Sequence, residues 1–143
     1  MANPVPISVL QKIPLFASLN EVASQELSTF LKKESYPAHH TIFWINEKGD
    51  HLYIILEGKV QISYTEDEGK EIHLNVLQEG SFFGEVSLID NGPHSGTART
   101  TTETTFLTLD RESFHHFLQR QPDFGFSLLQ VLSSRLRANT AGM

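Results

Sequence analysis

The sequence contains no cysteine, which excludes disulfides, thiolate metal sites and cysteine nucleophiles together. Positive charge is scarce as well: 11 Lys+Arg stand against 17 Asp+Glu, a formal net charge of −6. That balance argues against a nucleic-acid surface, which normally shows as a basic patch. No apolar run approaches the roughly 20 residues of a membrane span. Met1 to Val9 has no basic region followed by an apolar stretch, so no secretory signal is expected. These absences point to the cytoplasm and to no membrane partner. Repeats, linkers and low-complexity segments are missing too. So are the His-x-His of a cupin-type metal site and the Gly-x-Ser-x-Gly elbow of a hydrolase. The adjacent pairs His39-His40 and His115-His116 would diverge on either a strand or a helix. The expectation is a protein that is not an enzyme, with no catalytic residue, no metal and no cofactor.

What is present suits a globular chain. Its 143 residues fit one domain, and 39% hydrophobic with 20% charged residues is an ordinary folded composition. The negative charge is concentrated. From Asn46 to Asp90 ten acidic residues face only Lys48, Lys59 and Lys70, a net −7, and from Glu71 to Ala98 there is no Lys or Arg.

Helical signals occupy the two ends. Val5 to Lys12 reads as a short helix or turn interrupted at Pro14-Leu15-Phe16. Asn20 is the expected N-cap of a helix over Glu21 to Lys33, with Val22, Leu27, Phe30 and Leu31 as its buried stripe and Lys32 and Lys33 in its last turn. Asp110 is the expected N-cap of a second helix bearing Phe114, Phe117 and Leu118. A third runs from about Pro122 to Ala138, with Phe126, Leu129, Leu132 and Leu136 as its apolar face. Phe114, Phe117, Phe124 and Phe126 read as helix core.

Between these ends lie short β-rich runs separated by turns such as Glu57-Gly58, Asp67-Glu68-Gly69 and Glu79-Gly80. They are Glu34–Pro37, Thr41–Ile45, His51–Leu56, Lys59–Thr65, Glu71–Leu77, Ala98–Thr102 and Thr105–Leu109. In Lys59–Thr65, Val60, Ile62 and Tyr64 alternate onto one face. The expected fold is α+β: an antiparallel β jelly roll, or double-stranded β-helix, flanked by N-terminal and C-terminal helices. Its expected organisation is a single domain over 1–143, helical to 33, jelly roll over 34–109 and helical again over 110–139.

The segment Ser81 to Ala98 exceeds the roughly 12–15 residues of an ordinary loop, and loops of that length in compact domains are usually functional. Gly84, Gly92 and Gly96 allow close backbone approach, and Glu85–Ile89 can form one or two helical turns. Phe83-Gly84-Glu85-Val86-Ser87-Leu88 followed by Pro93-His94-Ser95-Gly96-Thr97-Ala98 resembles the phosphate-binding cassette of cyclic nucleotide-binding domains. That family includes bacterial catabolite activator proteins, protein kinase A regulatory subunits and cyclic nucleotide-gated channels. Gly49-Asp50-His51-Leu52-Tyr53-Ile54-Ile55-Leu56-Glu57-Gly58-Lys59-Val60 is similar to its Gly-Asp-x-Leu-Tyr-Ile-Ile-x-x-Gly-x-Val strand pair. The resemblance covers most of the chain.

The resemblance implies a cyclic nucleotide-binding sensory module for signal transduction, with cAMP or cGMP as ligand. Gly84, Glu85, Val86, Ser87, His94, Ser95, Gly96 and Thr97 are its expected binding residues. Glu85 would accept a hydrogen bond from the ribose 2′-OH, Gly84 backbone would lie against the sugar, and Ser95 would donate to the phosphate. His94 stands where the family has an arginine. Histidine, with a pKa near 6.5, is mostly neutral at pH 7 and gains charge toward pH 6. Arg99 would not replace that arginine, since it points away if Ala98 faces the pocket. His39 departs from the family's Pro-x-Gly in Pro37-Ala38-His39, and Gly96 and Ala98 replace Ala and Val.

Two readings of the pocket stay open. Either it binds a cyclic nucleotide, or it is a degenerate fold serving as a protein-interaction domain. By resemblance, ligand would draw the C-terminal helices over the pocket, and an output protein or domain would read them. The same helix would serve a homodimer, and Asn139 and Thr140 fall near base-contacting positions in bacterial regulators. No helix-turn-helix follows in the sequence, so no DNA is expected as a partner of this chain alone.

Overall fold

The computed structural model describes residues 5–140, with side chains described as far as Ala138. Asn139 and Thr140 therefore lie outside the described side chains. Two short N-terminal pieces, α1 (Ile7–Leu10) and a 3-10 turn at Pro14–Phe16, lead into α2 (Glu21–Phe30). Asn20 caps α2, its side-chain oxygen accepting from the Ala23 amide at 2.8 Å. Helix α2 ends three residues earlier than its sequence pattern suggests. Lys32 and Lys33 belong instead to β1 (Lys32–Tyr36), which pairs with β8 (Thr104–Asp110). The buried stripe also differs from expectation: Ala23, Ser24, Leu27 and Ser28 face inward, while Val22 is 72% exposed. Leu27 and Leu31 are buried and Phe30 packs against the core as expected, so only Val22 leaves the stripe, and the small residues Ala23, Ser24 and Ser28 take up the rest of the inward face.

The remaining elements are β2 (Thr41–Phe43), β3 (His51–Glu57), β4 (Val60–Thr65), β5 (Glu71–Leu77), β6 (Phe82–Phe83), α3 (Glu85–Asp90), β7 (Thr97–Thr100), α4 (Arg111–Arg120) and α5 (Pro122–Thr140). The strands form two antiparallel four-stranded sheets, ordered β1-β8-β3-β6 and β2-β7-β4-β5. This is the jelly-roll arrangement flanked by helices. Strand β6, only two residues long, is too short for sequence periodicity to register.

Burial explains why β3 and β8 read as nearly continuous apolar runs. Alternate residues face opposite sides of a strand. Ile55 and Phe106 pack between the sheets with Val60, Phe83 and Ala98. Leu52, Ile54, Leu107 and Leu109 pack on the other side against Leu27, Phe114, Phe117, Phe124 and Leu128 of the helices. The first sheet is thus covered on both faces. In β4 the Val60/Ile62/Tyr64 alternation breaks at a bulge between Ile62 and Ser63, which turns Ser63 inward.

Asp110 caps α4 by accepting from the Ser113 amide at 2.8 Å. Phe114 and Phe117 are buried, and Phe117 meets Phe124 edge-on at 5.2 Å. On α5 the buried face is Phe124 and Leu128, with Val131 and Leu132 partly buried. Phe126, Leu129 and Leu136, expected inside, are exposed. Packing against α4 and the 3-10 turn sets the rotation of α5, and a helix with apolar residues on two sides does not reveal which side is covered.

Candidate functional site

The cassette begins where β6 ends. Gly84 has φ 90°, and a Cβ there would lie 2.7 Å from the His51 carbonyl oxygen. Only glycine fits that conformation and that approach. Gly84 thereby starts α3 directly against β3, which puts Glu85 in the first helical turn, buried at 7% exposure.

Glu85 does not stand alone. Arg135 of α5 places Nη1 3.2 Å from its Oε1, while Nη2 donates to Ser81 Oγ at 3.0 Å and to the Phe82 carbonyl at 2.6 Å. The same guanidinium lies 4.1 Å above the Phe82 ring. Burial pushes the Glu85 carboxyl up from its ordinary range, and Arg135 opposes that shift. One planar cation therefore joins the last helix to the strand, the cassette and its acidic residue.

The other end of the cassette is built differently. His94 is buried and stacks flat on Phe43, with ring centroids 3.4 Å apart and planes 4° apart. Its Nδ1 lies 3.2 Å from Ser87 Oγ. Burial lowers the His94 pKa from its ordinary value, against the raising influence of Glu47 and Asp50, so the ring is neutral at pH 7. The charge gain expected toward pH 6 is accordingly shifted to more acid pH. The His94 backbone bonds to the β2–β3 connection through Asn46 and Glu47, and a Cβ on Gly49 would collide with both Ser87 and His94. His94 is held inside the loop and is not extended as a cationic arm.

A cavity of about 460 Å³ opens between these two ends, within the usual range for small-molecule sites. Gly84, Glu85, Val86, Ser87, His94, Ser95 and Gly96 line it. Thr97 does not: it is buried in β7, where its hydroxyl accepts from the Ile45 amide at 2.8 Å and ties the cassette to the strand end. Arg99 is exposed and reaches Thr41 at 3.4 Å, away from the cavity. The lining also includes Arg135, Phe43, Leu74, Asn75, Leu132 and Leu136, none of them among the binding residues expected from the sequence. Leu128, Leu132 and Arg135 fall at i, i+4 and i+7, one face of a helix, and that spacing was the available signal for Arg135.

Among the described residues no cluster of His, Asp and Glu could hold a metal ion, and no helix is long and apolar enough to cross a membrane.

A two-sheet jelly roll with helices at both ends, and a Gly-Glu cassette facing the last helix, defines a class. The chain belongs to the cyclic nucleotide-binding domain family, whose model matches residues 33–121. It is a regulatory domain of the type found in CRP-like regulators. A CRP-like cAMP-activated global transcriptional regulator of Mycobacterium tuberculosis is 34% identical over 129 residues, 90% of this chain and 58% of that protein. The crystal structure of the Thermus thermophilus catabolite activator protein superposes with TM-score 0.83 at 32% identity, covering 90% of this chain and 61% of that one. The regulatory subunit of a cAMP-independent protein kinase A from Trypanosoma brucei superposes with TM-score 0.78 at 26% identity, covering 92% of this chain and 46% of that one.

The chain spans about half the length of the curated relatives it matches, 58% of the Mycobacterium tuberculosis regulator among them. That relative is a transcriptional regulator and not an enzyme, so the exclusion of DNA as a partner is withdrawn. That expectation rested on the acidic balance and on the lack of a helix-turn-helix in this sequence, and neither bears on the partners of a longer regulator.

Proposed function

We propose that the chain is the ligand-sensing module of a CRP-like signal-transduction regulator, acting in the cytoplasm. Its cavity takes a nucleoside-bearing ligand of the cyclic nucleotide class, cAMP or cGMP being the reference compounds, with the ribose against Gly84 and Glu85. The observation that carries this reading is the Glu85–Arg135 pair. The carboxylate suited to a ribose hydroxyl is the one held by the C-terminal helix. Occupancy of the cavity and the position of α5 are therefore set by one group.

A ribose hydroxyl that donates to Glu85 adds a contact available only where Arg135 leaves room for it. Ligand then shifts the balance between α5 positions by its differential affinity for them. The relatives' printed names support both sides of the ligand question, since one is cAMP-activated and another cAMP-independent.

The test is calorimetric titration with cAMP, cGMP, adenosine and guanosine. The single tryptophan, Trp44, next to Phe43 of the cavity, serves as a fluorescence reporter. Saturable binding is expected, weakened about tenfold or more by Glu85→Gln, because a charged acceptor contributes roughly 1.5–3 kcal/mol to a hydrogen bond. If no compound binds at millimolar concentration, the domain is the degenerate, protein-interacting form of the fold.

A further inference from the structure

Resting on that nucleoside reading, we propose that this cavity selects an uncharged nucleoside over its cyclic phosphate. Arg135 carries the only fixed positive charge among the described lining residues, and it is set against Glu85, Ser81 and Phe82. No Lys or Arg occurs from Glu71 to Ala98. The residue placed where a phosphate would need a cation is His94, which is stacked on Phe43, bonded to Ser87, and within the electrostatic influence of the acidic Glu47 and Asp50.

A phosphodiester is a permanent anion whose exposed oxygens only accept hydrogen bonds. Leaving water for this end of the cavity, it would lose solvation and gain no opposite charge. The 3′- and 5′-hydroxyls of a nucleoside both donate and accept. They suit the neutral groups found here, the Ser95 hydroxyl, the His94 ring and the Asn75 amide. Gly96 lies close to β4, where even a Cβ would come within 3.0 Å of the Ser63 carbonyl oxygen.

The experiment is paired titration of the full chain at pH 7.5 with adenosine and cAMP, and with guanosine and cGMP. At least one nucleoside is expected to bind about tenfold more tightly than its own cyclic phosphate. His94→Arg should shift the ratio of cyclic phosphate to nucleoside affinity about tenfold toward the cyclic phosphate. Where His94→Arg does not fold, Ser95→Arg supplies the charge from an exposed position on the same rim. If neither nucleoside binds more tightly than its own cyclic phosphate, the inference is overturned and the nucleoside reading stands. A new arginine that strengthens both classes equally overturns the inference in the same way. Absence of binding by all four compounds overturns both.

Discussion

The two ends of the cavity follow opposite electrostatic designs. At one end Glu85 and Arg135 bring a buried carboxylate and a planar cation together across two elements distant in sequence. At the other, His94 and Phe43 form an uncharged stack locked into the loop. A cassette can keep its backbone course while the chemistry at its two ends diverges, because the glycines set the course and the side chains set the chemistry. The family match over residues 33–121 takes in Glu85 and His94 alike, so membership alone does not distinguish the two ends.

The largest expected effect tests the backbone difference between those ends. Gly84→Ala forces a Cβ into left-handed φ and against the His51 carbonyl at 2.7 Å, backbone that cannot step aside. It should cost about 3 kcal/mol, read as a fall in the denaturation midpoint. Gly96→Ala meets Ser63 and Ile62 at 3.0–3.1 Å without unfavourable φ, and should cost about 1 kcal/mol or less. Equal losses would show that the Glu85 end is not the more rigidly specified of the two.

A smaller effect probes the side chains. Arg135→Met leaves Glu85 buried without its cation, and Glu85→Gln leaves Arg135 without its carboxylate. Each should cost about 2 kcal/mol, with the double variant recovering about 1 kcal/mol of the sum. Arg135 is partly exposed, and solvent compensates it enough to keep these figures at the low end. At the other end, Ser87→Ala removes a bond between neutral groups and should cost no more than about 1 kcal/mol. A Glu85–Arg135 coupling no larger than a surface pair's would erase the contrast.

The sequence made the two ends unequally legible. Gly84, Glu85 and the short helix after them follow from a local motif, and the strand run Gly49 to Val60 follows from alternation and turn residues. Glu85's partner did not follow, because Arg135 lies 50 positions away on a helix whose buried face was misread. Phe124 is buried as its sequence suggests and Leu132 is partly so, but Phe126, Leu129 and Leu136 are exposed, and Leu128 takes the inward position. His94 was legible as a missing arginine, but its burial was not, since burial depends on Phe43 and Gly49 from another sheet and loop. Local motifs report which groups a chain supplies. The charge state of those groups depends on contacts that the motif does not contain.

The smallest expected effect is the pH dependence of stability. Folding holds the His94 pKa below its unfolded value near 6.5, so the folded state resists a proton that the unfolded state accepts. The stability His94 contributes is fully present above pH 6.5 and declines as pH falls through that value toward the folded one. Glu85 acts with the opposite sign. Its folded pKa is raised, so its contribution is present below the unfolded carboxylate value and is lost as pH rises through the folded one. Subtraction separates the two. His94→Gln keeps Glu85 and a neutral polar group at 94, so the difference between wild type and variant should be constant from pH 8 to pH 7. Below pH 6.5 it should shrink, as the wild type loses stability that the variant never had. A difference that stays constant to pH 5 would mean that His94 protonates as freely in the folded chain as in water. The neutral end of the cavity would then be neutral only by choice of pH.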